Sequence, residues 1–179
     1  RAILHAMDMR QLTARRICLA TGEVSLHATE RDAVFRFDGE NLIQVFGPAW
    51  RLLLIGAGQL SRFVAQMAQA LDYEVIICDP REEYAAQWQL TGTVLDTRSP
   101  DDAVCALALD ARSAVIALTH EPKLDDLALM EALTSPAFYV GALGSRANNA
   151  KRRARLAQLE LAPTAIGKLH GPVGLPIGS

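Results

Sequence analysis

Apolar positions change their spacing once along the chain, near Gly47-Pro48. Before that point, short apolar runs flank polar turns. "RRICLATGEVSLHA" carries two runs around Thr21-Gly22, and "AVFRFDGENLIQVF" carries two around Asp38-Gly39. In the second segment Val34, Phe35 and Phe37 precede the turn, and Leu42, Ile43, Val45 and Phe46 follow it, which makes it the stronger hairpin signal. Residues 1–50 are therefore expected to form a small β-rich region. Fifty residues bury little by themselves, so this region leans on the rest or is part of a larger domain.

From residue 51 the pattern alternates strand and helix. Apolar runs at 52–55, 74–78, 93–95, 114–118 and 138–141 lack strict alternation, as parallel strands covered on both faces do. Between them, Leu60, Phe63, Val64, Met67, Ala68 and Leu71 recur at helical spacing, as do Leu124, Leu127, Ala128, Leu129 and Leu133 after Pro122. A last helix is expected over 146–160. Repeated βα units with right-handed crossovers predict an α/β fold over 51–179. The expected form is a Rossmann-like, doubly wound parallel sheet of at least five strands in order 3-2-1-4-5. Residues 162–179, with three prolines and four glycines, read as irregular.

Composition narrows the function. The chain has 179 residues, is half hydrophobic, carries a formal net charge of -2 and has a pI near 6.1. That balance gives no electrostatic case for nucleic acid or an anionic membrane. No apolar run approaches a spanning helix. No signal peptide is visible, and a start at Arg1 points to a missing N-terminus. Cys18, Cys78 and Cys105 are odd in number and far apart, which suits reduced cytoplasmic thiols better than a disulfide frame or a zinc site.

The candidate chemistry begins at "RLLLIGAGQLSRF", residues 51–63. Gly56 turns the chain sharply off a strand, and Gly58 lets a phosphate approach the N–H groups that open a helix. The third glycine of the usual dinucleotide turn is Ser61, which is small enough not to block phosphate. Asp79 stands 21 residues after Gly58, at the end of the next strand, where an acid takes a ribose diol. A tight βα turn with an incidental aspartate fits the same residues. Asp79 would repel a 2′-phosphate, an objection that Arg81 softens.

"LTHEPKLDD" sets His120 and Glu121 just past the fourth strand, at the sheet edge where open α/β folds bind ligands. His120 is a site residue or a buried or capping histidine. Asp125 and Asp126 serve the site or simply suit the helix dipole. In "YVGALGSR", Gly141 and Gly144 leave the fifth strand, Ser145 caps the next helix and Arg146 is free to reach an anion; a plain capped loop fits these residues too. "KRRARL", residues 151–156, reads mainly as a solvated helix face, with a patch for an acidic partner as the minor alternative. No nucleophile elbow, zinc-protease helix or paired-cysteine motif occurs.

Together, "LLLIGAG", "CDPR", "LTHEPKLDD", "YVGALGSR" and "GPVGLPIGS" resemble the carboxyl-terminal domain of the xanthine dehydrogenase accessory family, XdhC/CoxI, over roughly residues 51–179. The resemblance implies a chaperone, not a catalyst. Such a protein binds the molybdenum cofactor (molybdopterin or its dinucleotide form), protects it during sulfuration by a cysteine-desulfurase-like partner, and helps insert it into a molybdenum hydroxylase apoenzyme. It also leaves room for a homodimer. The implied site residues are Gly56, Gly58, Gln59, Asp79, Arg81, His120, Asp125, Gly141, Gly144, Ser145, Arg146 and the 171–178 loop with Gly174. Gln59 replaces the family's usual histidine, residues 1–50 lack its Gly-Gly-Cys-x-Glu segment, and the chain stops at Ser179 where typical members continue. The alternatives are an NAD(P)-dependent oxidoreductase and a nucleotide-sensing module.

Overall fold

The computed structural model describes residues 2–8, 11–29, 33, 35–47 and 49–175. Val34 and Pro48, named above for the hairpin and the boundary, and residues 176–178 of the final loop lie outside the described residues. A short helix, α1 (Ala2–Asp8), opens the chain and was not signalled by any periodic pattern. Four strands follow: β1 (Thr13–Cys18), β2 (Val24–Ala28), β3 (Arg36–Phe37) and β4 (Asn41–Phe46). They form a separate antiparallel sheet in order β2-β1-β4-β3.

Both predicted turns close hairpins. Gly22 (φ 70°) sits between β1 and β2, and Gly39 (φ 93°) between β3 and β4. The Asp38 carboxylate accepts from the N–H groups of Glu40 and Asn41 at 3.0 and 2.7 Å, an Asx-type brace for the second turn. The stronger sequence signal nevertheless closes the shorter ladder. β4 pairs with β3 at two positions but with β1 at six, from Thr13 opposite Phe46 to Cys18 opposite Asn41.

The rest of the described chain is built on β5 (Trp50–Ile55), α2 (Gln59–Ala70), β6 (Tyr73–Cys78), α3 (Glu82–Ala85), β7 (Thr93–Asp96), α4 (Pro100–Leu107) and β8 (Ser113–Ala117). It continues through α5 (Pro122–Thr134), β9 (Tyr139–Ala142), α6 (Arg146–Gln158), α7 (Pro163–Gly167) and β10 (Leu169–His170). The strands form one parallel sheet in order β10-β9-β8-β5-β6-β7. The fold is α/β and Rossmann-like. The chain runs outward from β5 to β7, returns to lay β8 on the other side of β5, and proceeds to β10. The crevice beyond the carboxyl ends of β5 and β8 is the switch point where such sheets take ligands.

Side chains of successive strand residues point to opposite faces, and both faces are filled. Leu53, Ile55, Val115 and Ala117 meet Ala103 and Val104 of α4 and Leu129 and Leu133 of α5 on one side. Leu52, Leu54, Val75 and Ile77 meet Ala65 and Ala68 of α2 on the other. Leu53, Leu54, Ile55 and Ile77 retain no exposed surface, and burying each such side chain stabilises the fold by about 1.5–3 kcal/mol.

The expectation that residues 162–179 are irregular is corrected over 163–170. Pro163, fixed in φ and without an N–H, starts α7 at its first position. β10 then pairs in parallel with β9, Leu169 beside Val140 and His170 beside Gly141, as a sixth strand. The Tyr139 and His170 rings stack with centroids 4.6 Å apart. Among the described residues, no helix is long and apolar enough to cross a membrane.

Candidate functional site

Two glycine turns meet the carboxyl edge of the sheet. In the first, Gly56 follows β5 with φ 108°, its N–H bonded to Cys78 O at 2.8 Å. A Cβ on Gly56 would lie 3.0 Å from Thr119 Cγ2 and 3.3 Å from its backbone. This glycine therefore serves close packing against the end of β8. Gly58 differs. It is the N-cap of α2, its φ is -86°, and a Cβ built there meets nothing within 4 Å. The cap makes no side-chain hydrogen bond and no acid lies in the first turn of α2. The first N–H groups of this helix, with exposed Gln59 leading, are thus left to solvent or to an anion.

Asp79, at the end of β6, is fully buried. One carboxylate oxygen accepts from Ala57 N at 2.7 Å and Arg81 Nη2 at 2.8 Å; the other accepts from Arg81 N at 3.1 Å and Nε at 2.9 Å. Burial raises its proton affinity, but the hydrogen bonds from Arg81 and Ala57 and the Arg81 charge outweigh it, so its carboxyl lies below the usual aspartate range. The acid expected to meet a ribose instead braces the glycine turn. Arg81 carries the link onward: Nη1 donates to Glu121 Oε1 at 2.6 Å, and the guanidinium lies 3.8 Å over the Tyr84 ring.

The loop after β8 is held from below. Thr119 N and Oγ1 both donate to Asp125 Oδ1, at 3.2 and 2.7 Å, while Thr119 Oγ1 accepts from Glu121 N at 2.9 Å. Between them His120 is exposed, with φ 63°. A non-glycine residue held there costs on the order of 1–3 kcal/mol and persists only where its surroundings impose it, a feature concentrated at functional sites. Asp125 itself has no exposed surface and is turned away from the cleft. Burial pushes its carboxyl up, against the Thr119 hydrogen bonds and the Arg152 charge.

The second turn follows β9. Gly141 is packed: a Cβ there would stand 2.7 Å from Tyr139 Cε1 and 3.1 Å from Val173 Cγ2. Gly144 adopts φ 124°. Ser145 caps α6, its hydroxyl accepting from Asn148 N at 3.1 Å. Arg146 is exposed at the start of α6, and no partner to its side chain occurs among the described residues. The final loop is tied to the same edge by Val173 N donating to Ala142 O at 2.9 Å, with Gly174 exposed at φ 102°.

"KRRARL" is a solvated face only in part, and that expectation is corrected: Lys151 and Ala154 are exposed, but Arg152 and Leu156 are buried. Arg152 is buried, its side chain 6% exposed. It binds Asp125 Oδ2 at 2.8 Å, Asp126 Oδ1 at 3.3 Å, Leu143 O at 3.0 Å and Asn149 Oδ1 at 2.9 Å. Arg155 reinforces Asp126 at 2.6 Å. Asn149, also buried, donates to Gly144 O and Ser145 O, each at 3.1 Å. The sequence pattern did not single out Asn149 or Arg152, although Asn149, Arg152 and Leu156 share the i, i+3, i+7 spacing of a buried stripe.

His120 and Gly144 line one cleft of about 220 Å³, together with Asn148, Lys151, Arg152 and Arg155. The first turn reaches the same loop through Asp79, Arg81 and Glu121. No group of three or more His, Cys, Asp or Glu side chains is placed to hold a metal ion among the described residues.

The model of the XdhC Rossmann domain family matches residues 52–179. A relative, the uncharacterized protein YqeB of Escherichia coli (strain K12), is 32% identical over 139 residues, covering 76% of this chain and 25% of its own length. A solved structure named as a xanthine dehydrogenase from Bacillus halodurans superposes with TM-score 0.65 at 19% identity, covering 98% of this chain and 56% of that one. The chain thus spans a quarter of the length of the first and just over half of the second.

Proposed function

The chain belongs to the XdhC Rossmann domain family, and from that premise we propose that it is the cofactor-holding part of an accessory protein for a molybdenum hydroxylase of the xanthine dehydrogenase kind. In this reading it binds the molybdenum cofactor, as molybdopterin or its dinucleotide form, in the cytoplasm. It shields that cofactor while a cysteine-desulfurase-like donor supplies sulfur, and it releases it to the apoenzyme. The observation that carries the reading is the open, uncapped start of α2 at Gly58 beside a turn braced by Asp79.

The residues fit the anionic end of such a group. Gly58 leaves the approach clear, the N–H groups of Gln59 and Leu60 receive phosphate oxygens, and Arg146 adds positive charge. Arg81, paired with Asp79 and Glu121, acts by keeping the turn in place. Exposed His120 offers its ring to the polar end of the ligand, and Gly144 and Gly174 keep backbone close to it. Asp125 positions the His120 loop through Thr119. When bound, the cofactor supplies the molybdenum centre that the hydroxylase uses; the chain itself holds, orients and excludes water. Leu60, Phe63, Met67 and Leu71 form an exposed apolar stripe on and just beyond α2, suited to the hydroxylase; a homodimer through the same stripe is the competing assembly.

The test is co-expression of an apo-hydroxylase with the wild type, with Gly58→Val, or with no accessory protein. The wild type is expected to raise molybdenum content and activity of the purified hydroxylase, and Gly58→Val to raise them less. Equal loading with and without the wild type overturns the reading, as does NAD(P)H turnover by the chain alone.

A further inference from the structure

We propose that the cleft between the start of α5 and the first turns of α6 is a second anion site, taking a phosphate or diphosphate group. It shares His120 and Gly144 with the site above, and so deepens that reading. It rests on the reading only for the larger ligand to which its anion would belong.

The cleft is rich in donors and poor in acceptors. Of the five N–H donors of a guanidinium, Arg155 spends two on Asp126 and leaves three. Lys151 is exposed and pairs with nothing among the described residues. The Asn148 side chain and the His120 ring likewise have no partner among the described residues. The neighbouring carbonyls are already engaged: Leu143 O accepts from Arg152, and Gly144 O from Asn149. A neutral polar ligand would find free side-chain acceptors only in the Asn148 amide oxygen and the His120 ring, whereas an anion meets the unspent donors of Arg155, Lys151 and Asn148.

Charge points the same way. Asp125 and Asp126 neutralise Arg152 and Arg155, and neither acid lines the cleft. That pairing fixes the two guanidiniums in place before any ligand arrives. Lys151 is then the unmatched cation, facing a cavity of about 220 Å³. That is well above the volume of about 10–15 Å³, in the same measure, that admits one water, so the cleft has room for a phosphate group. "KRRARL" therefore contributes both a buried brace and a ligand-facing edge.

The experiment is calorimetric titration of the 179-residue chain with inorganic pyrophosphate at low ionic strength. It compares wild type with Gly58→Val, the latter alone and combined with Lys151→Ala or Lys151→Arg, each checked for an unchanged melting temperature. Because the start of α2 can also take pyrophosphate, Lys151 is read in the Gly58→Val background: there Lys151→Ala is expected to weaken binding at least fivefold and Lys151→Arg to stay within twofold of Gly58→Val. Absence of pyrophosphate binding by Gly58→Val overturns the proposal, and so does equal affinity there with and without Lys151→Ala. A parallel titration with a nucleoside diphosphate separates the sources: tighter binding than pyrophosphate assigns the cleft to the end of a larger ligand, equal or weaker binding to a free anion. No molybdenum cofactor or hydroxylase takes part, so this result stands or falls separately from the co-expression test.

Discussion

The two glycine turns share one sheet edge and solve the same problem in opposite ways. Each must start a helix whose first N–H groups lack intrahelical partners. At the second turn the chain supplies a partner for one of them, the Ser145 hydroxyl taking Asn148 N, and it braces the turn itself: Asn149 holds the carbonyls of Gly144 and Ser145, and Arg152 locks Asn149. At the first, the cap is a glycine without a side chain, and the brace from Asp79 stops at Ala57 N, just short of the helix. The difference teaches where a ligand can act. At α2 it meets free backbone N–H groups. At α6 one of those groups, Asn148 N, is already taken by the Ser145 hydroxyl, and a ligand also meets the side chains beyond it.

The largest effect is expected from removing the hub of the closed turn. Arg152→Ala leaves Asp125 and Asp126 with reduced compensation in a buried site, which costs about 3–5 kcal/mol. The neighbouring Lys151→Ala, on the exposed side of the same helix, should stay within about 0.5 kcal/mol. Urea unfolding of both variants checks the contrast. A loss below about 1 kcal/mol for Arg152→Ala would show that the ion cluster does not hold the second turn.

The brace of the open turn comes next, and it carries a pH signature. Asp79→Asn replaces a buried carboxylate that accepts from Arg81 and Ala57, at a cost of about 1.5–3 kcal/mol at pH 7. The Asp79 carboxyl is held below its ordinary value, so its contribution is present above the unfolded aspartate value near 4 and lost as pH falls through the lower folded one. The gap between wild type and variant should therefore be full at pH 7 and shrink below about pH 4. Asp125, pushed up by burial, acts with the opposite sign: the cost of its charge is relieved as pH falls through its folded value. Unfolding curves at pH 7, 5 and 3.5 read both trends, and a gap unchanged with pH would remove the Asp79 carboxylate as the brace.

Which parts of this contrast were legible in the sequence follows from what each residue does. The strands β5 to β9 were legible because a short unbroken apolar run between turn residues suits a strand covered on both faces. Gly58 was legible as a turn because glycines directly between an apolar strand run and a helical pattern mark the junction. Arg152 was not. On a helix its spacing from Asn149 and Leu156 marks a buried stripe, but the same letters beside Lys151 and Arg153 also describe a solvated face. Only the acids of α5, 26 and 27 residues away, decide between them. α7 and β10 were hidden for a different reason: prolines and glycines that usually break elements here start a helix and permit close packing. The pairing of β4 with β1 rather than chiefly with β3 was likewise invisible, because turn chemistry reports only the local partner.

A smaller effect separates the two glycines by backbone alone. Gly144→Ala forces an L residue to φ 124°, a strained conformation that costs about 1–3 kcal/mol. Gly58→Ala places its methyl group in open space at φ -86° and should change stability by less than about 1 kcal/mol. Melting temperatures of the pair check this, and equal losses would mean that the first turn is as closed as the second.

The smallest effect tests the caps themselves, by exchanging them. Ser145→Gly and Gly58→Ser each trade one accepted cap residue for another, so each should move stability by only a few tenths of a kcal/mol. The local consequence is larger than the global one. A serine at 58 can accept from the N–H of Leu60 or Ser61, and a glycine at 145 no longer accepts from Asn148. Amide hydrogen exchange under native conditions resolves this residue by residue. In the wild type, the Leu60 and Ser61 amides are expected to exchange faster than that of Asn148, and the exchange of caps should reverse the order. The reversal would place the difference between the two turns in a single hydroxyl. If Leu60 and Ser61 are already as protected as Asn148 in the unliganded wild type, the start of α2 is not free to receive an anion, and the contrast between the turns fails at its base.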